Sequence, residues 1–394
     1  MDNVQAVGSE AEFSLVRGGP FYQCLLSMGL VRSPLGWLHR RIAACVAVTW
    51  LPLALLTTLA GTFSGGVDVP FLTDLANARF LLAVPMLLGA ELVVHKRIRD
   101  LIEQFTKREL IGPADRPGFE SLIAWTMRLR NSAVAELILV VIAYTGGTAA
   151  WQFYGTLPGT SWYATPMDGK LTLTLAGHWL AWISLPLARF IILRWYYRLF
   201  LWYLFLWRVS RVRLNLDPLH PDRAGGLGFL DESATAFGPA LMAQSVFFSA
   251  MIGNQIWHLG AKLPDFQLEI LGFVLAMLMV VLFPLMFFTN QMIEVKFEAS
   301  HVYGELASRY VSAFRKRWLT GAAPEGQELL GAADIQSLAD LGNSYQVVNE
   351  MRVVPVDKAV ILKLAIEISI PLLPLLLTMV PLSELLTKLL QLLM

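Results

Sequence analysis

The sequence predicts an all-α polytopic membrane protein, with about seven transmembrane helices and a cytoplasmic helical layer beneath them. Three observations lead there. Hydrophobic residues make up 56% of the 394 positions and charged residues only 15%, far below the roughly 25% typical of soluble domains. Mean hydropathy is +0.55, too high for a disordered chain. The apolar residues also gather into windows near the roughly 20 residues that a helix needs to cross a bilayer. Net charge is +1, so no global basic field points to nucleic acid. With two cysteines, Cys24 and Cys45, a disulfide framework is excluded.

The first window runs from Ile42 to Gly61, the second from Ala76 to Val94 and the third from Ala133 to Tyr154. The fourth begins near Leu171 and stays apolar and aromatic to Trp207. The fifth covers Leu241 to Leu259, the sixth Glu269 to Met292 and the seventh Ala359 to Val380. The first follows about forty residues of mixed sequence, unlike the short n-region of a signal peptide, and reads as a true span.

Sidedness follows from the positive-inside rule. Arg17, Arg40, Arg41, Lys96, Arg97, Arg128, Arg130, Arg208, Arg211, Arg213, Arg315, Lys316 and Arg317 all fall on one side, whereas the other holds only Lys170, Lys262 and Lys388. The expectation is therefore a multi-pass membrane protein with a cytoplasmic N-terminus. Its parts are an N-terminal amphipathic segment (1–41), a six-helix membrane region (42–292), a cytoplasmic stalk (293–358), then a last span with an interfacial helix (359–394). The outer loops Gly61 to Asp68 and Gly155 to Thr165 carry Gly, Pro and Thr, which suits exposed turns.

Within the stalk, Tyr303, Leu306, Tyr310 and Phe314 share one helical face. After a loop with Pro324 and Gly326, Ile335, Leu338, Leu341, Tyr345 and Val348 repeat that spacing. Beyond Pro381 a leucine stripe opposite Glu384 and Lys388 is too short to cross again and reads as interfacial.

Ionisable residues inside spans mark the first candidate site, because each costs about 2.5–3.5 kcal/mol at a helix centre. Glu91, Glu136, Arg189 and Lys363 lie near the cytoplasmic boundary, where snorkelling is available. Glu367 lies deeper, roughly 12 Å into the seventh span at 1.5 Å per residue, with Lys363 one turn earlier as the nearest counter-charge. Arg79 and His178 enter from the outer side. The fifth span repeats Ser245, Ser249 and Gly253 every fourth residue, a surface suited to close helix approach, and sets Gln244, Gln255 and His258 on a neighbouring face. Together, Glu367, His178, Gln244, Gln255, His258 and Arg79 form the candidate polar pathway; buried pairs that fix helix register are the competing account. Arginines 189, 194 and 198 lack the every-third-residue spacing of a voltage sensor.

The densest cluster of potential ligands is Asp217, His220 and Asp222 within the sequence Leu216-Asp217-Pro218-Leu219-His220-Pro221-Asp222-Arg223-Ala224-Gly225-Gly226-Leu227-Gly228. Carboxylates with an imidazole suit a divalent cation. Asp and His beside Pro and Gly equally suit a tight turn, and the turn is the better supported. That stretch, with Asp334 to Leu341 and Met351-Arg352-Val353-Val354-Pro355, resembles an uncharacterised family of bacterial multi-span inner-membrane proteins. The resemblance implies a bacterial membrane and a shared topology from about Leu199 onward, and carries no activity or site.

No hydrolase, kinase, zincin or P-loop motif is present, and nothing calls for a cofactor. The functional expectation is an oligomeric channel or transporter for an ion or small solute. The alternative is a non-conducting scaffold or signalling component that recruits a cytoplasmic protein. A metal-dependent membrane enzyme ranks last. Expected partners are the lipid bilayer and further copies of the chain.

Overall fold

The computed structural model describes residues 13–32, 35–154, 159–167, 170–320 and 333–379. Ten helices and one β-hairpin are described. A short helix α1 (Pro20–Ser27) precedes α2 (Leu38–Leu59) and α3 (Leu75–Lys107). Next come α4 (Arg116–Arg130) and α5 (Ala133–Tyr154), then strands β1 (Ala164–Met167) and β2 (Lys170–Leu173). The long helices α6 (Leu175–Val209), α7 (Gly228–Leu259) and α8 (Leu263–Leu319) follow, and α9 (Ala333–Glu350) and α10 (Lys358–Thr378) close the series. Six of these, α2, α3, α6, α7, α8 and α10, are long and apolar enough to cross a membrane. The α4–α5 pair, bent by 43°, makes a seventh if counted as one span. The Pro324 loop and the leucine stripe beyond Pro381 lie outside the described residues.

Prolines inside the long helices are absorbed locally. Each removes a backbone donor and crowds the carbonyl four residues earlier. Wide π-type turns at Arg79–Ala83 and Leu180–Ser184 sit directly before Pro85 and Pro186. Pro284 and Pro371 instead open tight 3-10 turns at Phe283–Phe288 and Ile370–Thr378.

Helix α7 packs against both α3 and α10. Its small residues permit this: a Cβ on Gly253 would fall 2.6 Å from Leu75 and 3.6 Å from Leu375. Ser245 is fully buried and donates to the Leu241 carbonyl of its own helix. Helix α2 is joined to α6 where Trp179 Nε1 donates to the Val48 carbonyl (3.0 Å) and Ser184 Oγ to that of Thr49 (2.7 Å).

At the arginine-rich end, hereafter the basic end, the bundle closes over an aromatic core. Phe13 packs on Phe205, Phe105 on Phe229, and Trp202 stacks on Phe205. The opposite, distal end differs from the open turns expected there. Residues 170–173 form a strand, so α6 starts at Leu175 and the chain has a small β component, held by Thr165–Thr172 pairing. Ser161, Trp162, Tyr163 and Ala164 are buried. Val69 exchanges backbone bonds with this loop, its N–H donating to the Thr160 carbonyl (3.1 Å) and its carbonyl accepting from Trp162 N (3.0 Å), and the Asp68 carboxylate accepts from Thr160 N (2.8 Å) and Oγ1 (2.9 Å). These bonds hold Asp68 below the ordinary carboxylate pKa. Burial of one indole explains the difference: once Trp162 is covered, its neighbours must satisfy their backbone groups inside the fold.

The longest helix is α8. Its 57 residues span about 85 Å, against about 30 Å for a hydrocarbon core. Helix α9 runs back along its basic-end half. Tyr310 Oη donates to the Asp334 carbonyl (3.0 Å), and Trp318 Nε1 to the Asp334 carboxylate (2.9 Å). Tyr303, Tyr310 and Phe314 are half-buried, as are Leu338, Leu341 and Tyr345, and Val348 is buried. Leu306 and Ile335 are exposed instead of joining those faces, since two helices alone cover only a narrow seam.

Gly177 tests the distal cap, because a Cβ there would lie 2.0 Å from the Tyr163 carbonyl oxygen. Gly177→Ala is expected to cost about 1–3 kcal/mol and lower the melting temperature in detergent. Gly272→Ala, where an added Cβ meets open space, should not.

Candidate functional site

Two polar centres dominate the basic end. In the first, Glu91 of α3 is 6% exposed and shared by two arginines from other helices. Arg41 Nη1 of α2 bonds one carboxylate oxygen, and Arg198 Nη2 of α6 donates to the other at 2.6 Å. Arg194, one turn before Arg198, lies 3.8 Å from Glu136 of α5. Glu136 also accepts the Phe21 backbone N–H at 2.7 Å, at the start of α1. Asn131 Oδ1 accepts from Gly19 N (3.0 Å), and Arg130 Nη1 donates to the Ser14 carbonyl (2.5 Å). The stretch from Phe13 to Phe21 is thereby stitched to the end of α4 and the start of α5, with Phe13, Leu15 and Val16 almost wholly buried. Glu91 and Glu136 are thus buried in protein and paired across helices, rather than snorkelling at a boundary. The reason is the low dielectric of the bundle, where a charge persists only with a partner close by.

The second centre is the 216–228 turn. Asp222 Oδ1 accepts from Ala224 N (2.8 Å) and Gly226 N (3.1 Å), and Oδ2 from Gly228 N (2.9 Å). Positive φ at Arg223 (52°), Gly225 (65°) and Gly226 (94°) curls the backbone around this carboxylate. His220 Nδ1 lies 2.9 Å from Asp222, while Asp217 is exposed and accepts from Leu219 N (2.9 Å). Among the described residues, no three His, Cys, Asp or Glu side chains gather as a metal-binding group. The turn is a junction for three helical regions. Arg108 of α3 donates to the Gly226 carbonyl (3.2 Å), and Arg352, before α10, donates to the carbonyls of Asp222 (2.9 Å) and Arg223 (2.7 Å). Lys296 of α8 donates to the Met351 carbonyl (2.7 Å), and Arg223 pairs with Glu350 of α9 (2.7 Å). The blocks around Asp222 and Met351-Arg352 are therefore partners in space.

The other sequence candidates are spread along the bundle. Glu367 lies half-buried against Gly238, ten residues into α7; a Cβ on that glycine would fall 2.2 Å from Glu367 Oε2. Lys363 is exposed and forms no ion pair with it among the described residues. His258 sits at the far end of the same helix, about 30 Å away at 1.5 Å per residue, with Nε2 3.2 Å from the Thr73 carbonyl. His178 is exposed beside the Thr174 carbonyl (2.9 Å). Arg79 donates to the Ala76 carbonyl (2.8 Å). Gln244 lines a cavity of about 30 Å³ between α6, α7 and α8, and Gln255 is half-buried on α7. Near His258, the buried Asp74 accepts from Trp162 Nε1 (3.0 Å), Asn254 Nδ2 (2.7 Å) and Ala76 N (2.8 Å).

Sequence reasoning missed the sharing of Glu91, the inserted N-terminal stretch and the Asp74 cluster. The signal available was one acid per span at Glu91 and Glu136 facing arginines on other spans, which implies pairing without naming the pairs. Comparisons with protein-family models, curated proteins and solved structures found no match.

Glu91→Gln should destabilise the fold by about 3–5 kcal/mol in detergent denaturation, because it leaves Arg41 and Arg198 without their shared anion. At Asp222, burial by itself would raise the carboxyl pKa, but the N–H groups of Ala224, Gly228 and Gly226, with His220, outweigh it and hold the group below its ordinary value. Its stabilisation is therefore complete above the unfolded pKa of about 3.9 and is lost as pH falls through the lower folded value. Hydrogen exchange across residues 222–228 should rise only below about pH 4, and Asp222→Asn should remove that acid step.

Proposed function

We propose that the chain is a multi-pass membrane protein with its basic end in the cytoplasm, serving as a non-conducting scaffold whose α8–α9 hairpin recruits a partner protein. The observation carrying this is exposed apolar residues on the stretch of α8 that passes beyond the apolar window: Val302 and Leu306, one turn apart on one side, are 57% and 42% exposed, and Phe297 and Val311, on the other side, are 67% and 43% exposed. Apolar side chains collected on a protruding arm mark an interaction surface. The arm is also anchored at its base, where Lys296, Arg223 and Arg352 tie α8, α9 and the 216–228 turn together. A change in the arm therefore bears directly on the bundle. A bacterial inner membrane is supported by the resemblance carried by the 216–228, 334–341 and 351–355 stretches, and the cytoplasmic placement of the basic end by the positive-inside rule.

A second reading, an oligomeric channel or transporter, draws on Glu367: a half-buried carboxylate packed on Gly238 within α7, with no ion pair among the described residues.

Site-specific cross-linking in cells, from a photoreactive residue at position 306, separates these readings. The scaffold predicts one discrete adduct with another protein, lost in Val302→Glu, and no solute flux in proteoliposomes. Adducts only with further copies of the chain, together with ion flux abolished by Glu367→Gln, would replace the scaffold by the channel.

A further inference from the structure

An apolar groove of about 620 Å³ lies between α5 and α6, floored by α1. Phe21, Leu137, Val140, Tyr144, Leu187 and Phe190 line it. The α5 residues recur at helical spacing from Ala133 to Tyr144, about 16 Å of helix, close to half of a 30 Å hydrocarbon core. Leu137, Val140 and Tyr144 are exposed, so the groove opens sideways. At its basic end it shares Glu136 with a smaller recess whose other walls include Arg130, Arg194, Tyr197 and Arg198. Three guanidiniums and one carboxylate leave that end cationic. Arg194 stacks 4.6 Å over Phe21 while facing Glu136, and Arg198 is held by Glu91. Arg130 meets neutral oxygens, the Ser14 carbonyl and Asn131 Oδ1 (3.0 Å), and Arg17 lies near enough to add to the positive potential.

We propose that this groove is a binding site for one anionic phospholipid of the basic-side leaflet, an acyl chain lying between α5 and α6 and the phosphate facing Arg130. Groove length matches a single leaflet, apolar walls match the chain, and the cationic end matches the phosphate. The inference rests on bilayer placement from the proposed function but is independent of the scaffold role.

The test is native mass spectrometry of protein exchanged into equimolar phosphatidylglycerol and phosphatidylcholine of equal chain length. The expected result is one phosphatidylglycerol retained per chain at least tenfold over phosphatidylcholine. Val140→Trp, which fills the groove, should lose that retention tenfold, while Leu55→Trp on an exposed part of α2 keeps it. Equal retention of the two lipids, or unchanged retention in Val140→Trp, would overturn the site. In the unmodified protein, phosphatidylglycerol with a photoreactive chain should label residues 133–144 and 183–190; label spread evenly over the exposed face of α8 would also overturn it. Extraction from membranes by detergent but not by carbonate checks bilayer placement separately, so its failure is distinguishable from failure of the site.

Discussion

The basic end is organised around one shared anion. Glu91 is the only acid that Arg41 and Arg198 both contact among the described residues, and those arginines arrive on separate helices. A carboxylate buried in a low dielectric is tolerable only with close counter-charge and satisfied hydrogen bonds. Such a pairing is intolerant of sliding: moving α2 or α6 by one turn would strand a guanidinium and a carboxylate together. The three helices therefore hold one relative height. Arg194 and Glu136 extend the constraint to α5, and Phe21 N–H extends it to the N-terminal stretch.

A second constraint acts through backbone. Asp222 gathers three N–H groups from the six residues after it, so the turn is closed by contacts local in sequence. The carbonyls that this folding turns outward are then taken by Arg108 and Arg352. A local loop thus becomes the fastening between α3, the α8–α9 arm and the entry to α10. Prolines have the opposite character. They interrupt hydrogen bonding within α3, α6, α8 and α10, and the helices accommodate them by changing pitch for one or two turns.

Much of the helical plan was legible beforehand. The seven apolar windows coincide with α2, α3, α5, α6, α7, α8 and α10, because hydropathy accumulates along consecutive residues and needs no knowledge of neighbours. The helix beyond Met292 was legible for a different reason, the helical spacing of Tyr303, Leu306, Tyr310 and Phe314. The start of α6 was not: Leu171 to Leu173 read as part of an apolar run, but these three residues pair with Pro166, Thr165 and Ala164 of the neighbouring strand instead. The polar residues were less legible again. Asp217, His220 and Asp222 were singled out together, yet they serve the turn as hydrogen-bond partners, with Asp222 gathering the most backbone N–H groups. Glu367 was matched with Lys363 by helical spacing, whereas tertiary packing set it against Gly238, more than one hundred residues away in sequence.

The sequence alone determined that the chain forms long apolar helices, roughly where each begins, and that its cations collect at one end. All of these depend on composition summed over neighbouring positions. Only the tertiary structure decided which charges share a partner, which loops are buried and where a groove remains. Glu91 finds its arginines 50 and 107 positions away, and Asp74 finds Asn254 at a separation of 180. Electrostatic attraction selects partners by distance in space. Helix spacing and hydropathy report only distance along the chain.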